Sequence, residues 1–101
     1  MGKRLAPNVR KEQIIDAALV AAERMGYLNV RRSDIAVAAG VSDGLVSTYL
    51  STMVKIRRTI MRQAVKRQNL PVIAQGLAVQ DRIALAAPEQ LRKSAARSLV
   101  A

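Results

Sequence analysis

The sequence predicts an all-α fold, a small helical bundle, on three observations. Apolar residues recur with helical spacing and nowhere alternate with period two. Aromatics are limited to two tyrosines in 101 residues, so the core must be Ala, Leu, Ile, Val and Met, a palette that suits closely packed helices. Gly, Pro, Ser, Thr and Asn fall between the periodic stretches and leave no long connection.

Residues 1–7 read as a short basic arm carrying Lys3 and Arg4. Asn8 is placed to cap a first helix reaching Met25, with Ile14, Ile15, Ala18, Leu19, Ala22 and Met25 on its apolar stripe. Gly26 stops it. A second helix is expected over 31–39, ending at Gly40. Ser42 offers a cap for a third helix through Tyr49 or Leu50. Thr52 offers one for a fourth reaching 68 or 69, with an apolar edge of Met53, Ile56, Ile60, Met61 and Ala64. Pro71 suits the first turn of a fifth helix, which Gly76 is expected to break. Pro88 starts a last helical segment over 89–100. The expected organisation is an arm (1–7), a helical unit (8–69) and a C-terminal helical segment (70–101).

Composition then limits function. Seventeen Lys and Arg against seven Asp and Glu leave a net charge of +10, which asks for a polyanionic partner, nucleic acid before an anionic membrane. The absence of Cys and His excludes disulfides, thiolate or imidazole metal sites and histidine-activated nucleophiles, so no metal and no cofactor is expected. The seven carboxylates form no converging pair and no glycine loop cradles phosphate, so no enzyme is expected. No apolar run approaches the roughly 20 residues of a membrane span. MGKRLAPNVRKEQ lacks the apolar centre of a signal peptide, so the expected location is cytoplasmic.

Against this background IAVAAGVSDGLVSTYL, residues 35–50, is poor in charge. Two helices meeting at a tight corner need a residue with positive φ, and Gly40 fits that place. Ala36, one turn earlier, allows close packing. Ile35, Ala39, Val41, Val46 and Tyr49 fall on the inner face. Asp43, Gly44, Leu45, Ser47 and Thr48 are left outward on the second helix of the pair: small, mostly uncharged, able to approach base edges. Arg31 and Arg32 precede the corner. Lys55, Arg57, Arg58, Arg62, Lys66 and Arg67 follow it with no acid among them. Like charges so close on one helix repel, a cost that phosphates would offset. A packed helix pair with no role in binding, and a merely solvated basic face, are the alternatives.

These residues resemble the DNA-binding region of the tetracycline-repressor (TetR) family over about residues 11–56. The resemblance is carried by IIDAAL with Ala21 and Ala22, by GYLNV, and by DIAVAAGVSDGLVSTYL. Gly26 and Tyr27, Ile35 and Ala36, residues 39–42 and Gly44 are in register without a gap. The chain departs from the family pattern at Ser47, where a tyrosine is usual, at Met53, where a lysine is usual, and at Ala22, where Phe is common. Lys55 or Arg57 would then take the phosphate contact of the missing lysine. Family members carry a large ligand-binding domain after this region. Residues 70–101 are too few to enclose a pocket of several hundred cubic ångströms, so a minimal form with no small-molecule inducer is expected.

The resemblance implies a helix-turn-helix whose third helix enters the major groove of double-stranded DNA. The expected DNA contacts are Arg31, Arg32 and Ser33 at the start of the second helix, then Ser42, Asp43, Gly44, Leu45, Ser47, Thr48 and Tyr49, and Lys55. Leu45 would meet a thymine methyl. Asp43 either accepts from a cytosine amino group or balances Arg31. Gly44 either lets the backbone come close or is a flaw tolerated for packing. Tyr49 would be part core, part phosphate ligand. Lys3, Arg4, Arg10 and Lys11 either reach the minor groove or the backbone, or add only non-specific affinity. Val72, Ile73, Leu77, Val79, Ile83, Leu85, Leu91, Leu99 and Val100 are candidates for a homodimer surface, in part or in whole, the rest completing the core.

The expected function is a dimeric repressor on a palindromic operator, located in the bacterial cytoplasm and on the nucleoid when bound. Such small regulators suit control of their own promoter and a plasmid or phage setting. The alternative is a DNA-binding accessory module of a recombination or DNA-architecture system. RNA binding is disfavoured by the lack of stacking aromatics. A membrane-surface helix over 53–67 is disfavoured by the lack of Trp and Phe.

Overall fold

Seven helices follow one another along residues 6–99, the part of the chain that the computed structural model describes. They are α1 (Pro7–Met25), α2 (Arg32–Ala39), α3 (Asp43–Leu50), α4 (Met53–Lys66), α5 (Leu70–Ala78), α6 (Arg82–Leu85) and α7 (Glu89–Ser98), with no strand among the described residues. The all-α expectation holds. Lys3, Arg4 and Val100 lie outside the described residues.

Local chemistry explains most boundaries. α1 starts earlier than expected: Ala6, not Asn8, is the cap, and Pro7 opens the first turn. Proline presets the helical φ there and has no N–H to leave unsatisfied. Arg10 and Lys11 lie in the first turns of α1, and Arg10 Nη1 donates to Gln13 Oε1 at 2.9 Å. Thr52 caps α4, Asn69 caps α5 by accepting from the Val72 N–H at 3.1 Å, and Asp81 caps the short α6, which the sequence pattern did not reveal.

Gly76 does not break α5. It lies inside the helix, fully packed, where a Cβ would stand 2.6 Å from Met61 Cε and 2.7 Å from the Ala84 Cβ. The glycine is there because α4, α5 and α6 meet at one point, and only a residue without a side chain lets them.

One core runs through the chain. Ile14, Leu19, Val30, Ile35, Val46, Ile56, Ile60 and Met61 are buried together with Val72, Ile73, Ala74, Ala84 and Ala95. The boundary expected at 69/70 is thus crossed by a shared core. Val72 and Ile73, named as candidates for a dimer surface, are fully buried within the single chain, and Leu77, Ile83 and Leu91 pack partly against the core. Val79, Leu85 and Leu99 remain 51%, 47% and 65% exposed.

A polar tie joins the two ends of this core. The buried Tyr27 donates its hydroxyl to Asp81 Oδ2 at 2.7 Å, while Asp81 Oδ1 accepts from the Ile83 N–H at 2.8 Å. Gln75 Oε1 accepts the Tyr27 backbone N–H at 2.8 Å, and its Nε2 donates to the Ala22 carbonyl at 2.9 Å. Burial pushes the Tyr27 phenol above its ordinary range, and the bond to Asp81 and its negative charge push the same way. The hydroxyl therefore stays a donor.

Gly76→Ala should destabilise the fold by about 1–2 kcal/mol. Overpacking against Ala84, whose Cβ cannot rotate away, outweighs the gain in helix propensity. Chemical denaturation measures this, and a variant as stable as the parent would mean the three helices are not in close contact there.

Candidate nucleic-acid interface

α2 and α3 are joined by three residues. Asp34 Oδ2 accepts the Arg31 backbone N–H at 2.8 Å and so fixes the start of α2. Gly40 ends it in the left-handed region, φ 70° and ψ 35°, which glycine adopts without steric cost. Val41 N–H then bonds back to the Ala36 carbonyl at 3.0 Å, and Ser42 Oγ accepts the Leu45 N–H at 3.1 Å to start α3.

α3 is anchored by Val46 and Leu50, both buried. Leu45 and Tyr49 are half-buried and pack against the core, and Ser47 is half-buried. Ser42, Asp43, Gly44 and Thr48 are exposed. Leu45 is thus not the free outward residue expected. Positions 45, 46, 49 and 50 form one helical stripe, and Leu45 sits on its edge.

Two open alternatives are narrowed by this geometry. A Cβ at Gly44 would meet only Ser42 Oγ, at 3.9 Å, an ordinary contact. No close protein contact requires glycine there, so it is not a concession to packing. Among the described residues Asp43 forms no ion pair with Arg31; the ion pairs are those of Arg67 with Glu12 and Asp16 and of Lys93 with Glu89. Asp43 instead stands in the first turn of α3, where the helix dipole favours a carboxylate.

Thr48 Oγ1 donates to the Gly44 carbonyl at 2.9 Å. Its one proton is therefore used, and only lone pairs are left for an outside group. Ser42 is the converse: its oxygen accepts from Leu45, and its proton is free to donate.

The cations divide into groups. Arg31 and Ser33 are exposed at the start of α2. Arg32 is half-buried and lies across the α3–α4 turn, with Nη2 3.5 Å from the Ser51 carbonyl and a buried Nε that has no hydrogen-bond partner. Ser51 itself has φ 73° and ψ −134°, a backbone state that costs a residue with a side chain on the order of 1–3 kcal/mol. Lys55, Arg58, Arg62 and Lys66 are exposed along α4, and Arg57 is half-buried with an unpartnered Nε. Arg67 stands apart from the other α4 cations: it bonds to Glu12 at 2.5 Å and also to Asp16. Sequence spacing could not pair residues more than fifty positions apart.

One neighbour of this surface, Ser51, was missed in the sequence. Lys11, expected to reach the minor groove or the backbone or to add only non-specific affinity, stands on α1 one helical turn from Ile15, facing α4. Ser51 lies beside it at the end of α3. The Lys11–Ile15 spacing of i, i+4 was the available signal for the place of Lys11. No helix among the described residues is long and apolar enough to cross a membrane. Comparisons with models of protein families, with curated proteins and with solved structures find no match to the chain.

Gly44→Ala should raise stability by about 0.5–1 kcal/mol, since the methyl makes only an ordinary contact with Ser42 Oγ and alanine is the better helix former. Denaturation measures it. A loss of stability would restore the packing explanation of this glycine.

Proposed function

We propose that the chain is a sequence-specific DNA-binding transcriptional repressor of TetR-like helix-turn-helix type. α3 is its recognition helix, and it acts as a homodimer on a palindromic operator. The observation that carries this reading is the outer face of α3. Asp43, Gly44 and Thr48 are exposed there, with no close protein contact above Gly44, and cations lie on both sides, Arg31 and Arg32 before and Lys55 after.

Each part has a physical task in this reading. The neutral, small face of α3 can approach the base edges of the major groove. Arg31, Arg32, Ser33, Ser42 and Lys55 hold phosphates and set the register. Gly44 lets the helix backbone come close to a base. Thr48, with its proton engaged, accepts a hydrogen bond; the major groove offers donors only from adenine N6 and cytosine N4, so its base is A or C. Tyr49 packs partly against the core and lines the same groove as the α4 cations Lys55, Arg58 and Arg62.

One helix of this length reads few base pairs, so specificity requires a second copy, with half-site centres near one helical turn, roughly 34 Å, or a multiple. The exposed Val79, Leu85 and Leu99 support a joining surface on the α5–α7 side. Occupation of a promoter by such a dimer excludes polymerase without chemistry.

Two variants test this. Thr48→Ala should reduce discrimination between operator and mutated operator by about 1–3 kcal/mol, measured by competition binding; equal weakening on both duplexes removes Thr48 as a base reader. Arg32→Ala should weaken binding to all duplexes and lower the slope of log K against log salt by about 0.9, one phosphate contact. An unchanged slope removes Arg32 from the interface.

A further inference from the structure

α1, the end of α3 and α4 enclose an open groove of about 470 Å³ lined by Lys11, Tyr49, Ser51, Lys55, Arg58 and Arg62, among others. We propose that this groove is a seat for at least two consecutive phosphates, taken from one strand of the duplex bound at α3. The inference rests on the DNA-binding reading above and adds to it a second contact track, along α4 and α1.

The electrostatics are one-sided. Four cations face the groove, and among its lining residues there is no carboxylate. α4 carries no acid that could neutralise them. The nearest acids on α1, Glu12 and Asp16, are drawn toward Arg67 at the far end of α4. The protein thus spends its local negative charge on Arg67 and, among the described residues, leaves Lys11, Lys55, Arg58 and Arg62 without a counter-charge. Like charges gathered around a concavity repel one another, and the stable occupant is an anion with more than one charge.

The shape selects among anions. Lys55, Arg58 and Arg62 lie at i, i+3 and i+7 on one face of α4, a row about 10 Å long. Consecutive phosphates of a strand advance about 3.4 Å along the duplex axis, so the row can meet more than one. Ser51 and Thr59 add neutral hydroxyl donors to the walls. The groove opens where α3 ends, at Tyr49 and Leu50, so a strand whose bases face α3 continues into it. A free polyphosphate offers the same chemistry without bases, and the experiment separates the two sources.

The test compares the parent with Arg58→Gln/Arg62→Gln, whose side chains are exposed, so that thermal unfolding checks that the fold is kept. In duplex binding the variant should show a log K–log salt slope shallower by about 1.8, an about 12-fold smaller loss of affinity between 50 and 200 mM salt. Its affinity should fall alike for operator and unrelated duplex. In parallel, inorganic tripolyphosphate is titrated while the amide signals of Ser51, Lys55 and Thr59 are followed. A shallower duplex slope establishes the strand as occupant. Tripolyphosphate shifts that vanish in the variant, with an unchanged duplex slope, keep the phosphate seat but assign it to a free polyphosphate. An unchanged slope together with unchanged or absent tripolyphosphate shifts overturns the proposal, while the Arg32→Ala slope still reports separately on DNA binding. Tripolyphosphate binding lost in the variant, in a protein that binds no duplex, overturns the repressor reading and leaves the seat standing.

Discussion

A core without Phe or Trp can be filled only by bringing helix backbones close together, and the rest of this structure depends on that constraint. Alanines at 17, 18, 21 and 22 give α1 a low surface against which its neighbours settle. Gly76 carries the principle to its limit, where Met61 and Ala84 occupy the space a side chain would need. Packing of this kind is intolerant, because small residues leave no long side chains to absorb a displacement. It makes the N-terminal helices and the C-terminal segment parts of one core, and the bonds of Tyr27 with Asp81 and Gln75 close the seam between them.

That rigidity is what lets so short a helix as α3 present side chains in fixed directions. Eight residues are too few to be stable as an isolated helix in water. α3 exists because Ser42 starts it, Gly40 sets its angle of entry, and Val46 and Leu50 hold its inner face. The outer face is then relieved of any structural duty. Gly44 and Thr48 reflect this: one keeps space that no close protein contact claims, and the other has its proton already committed within the helix. Strain enters at the far end, where Ser51 holds a left-handed φ next to the Arg32 guanidinium. The turn that aims α4 relative to α3 is therefore kept by its surroundings and not by local preference.

Charge is distributed with comparable economy. The Arg67 pairs with Glu12 and Asp16 are exposed and add little stability by themselves. Their consequence is positional. They tie the end of α4 to α1 and consume the acids that would otherwise shade the groove. Arg31, Arg32, Lys55, Arg58 and Arg62, in no ion pair among the described residues, make a positive field that runs from the start of α2, past the end of α3, to the middle of α4. A field of this kind acts over roughly a Debye length, about 8 Å at physiological salt. It belongs to the proposed function as an attraction for any duplex, and discrimination is left to the few uncharged groups on α3.

Much of this was legible in the sequence, because the signals were local. Helical periodicity, the caps Ser42 and Thr52, the positive φ of Gly40 and the burial of Ile35, Val46, Ile56 and Ile60 all follow from the nature of each residue and its near neighbours. Where the local rule was ambiguous, the reading went astray. Asn8 and Pro7 were both able to open α1, and proline geometry prevailed. Gly76 resembled a helix stop, since nothing in sequence reports that two other helices converge on it. Leu45 was taken as outward although it borders the buried stripe. Arg67 changed role for the same reason: its partners, Glu12 and Asp16, lie across the fold, on a helix far away in the chain. The amino-acid order by itself determined the helices, their turns and the excess of positive charge, all of which act within a few residues. Only the tertiary structure decided which cations are neutralised, which glycine makes room for the protein and which leaves room for something else, because those are properties of distances between residues that the chain does not place side by side.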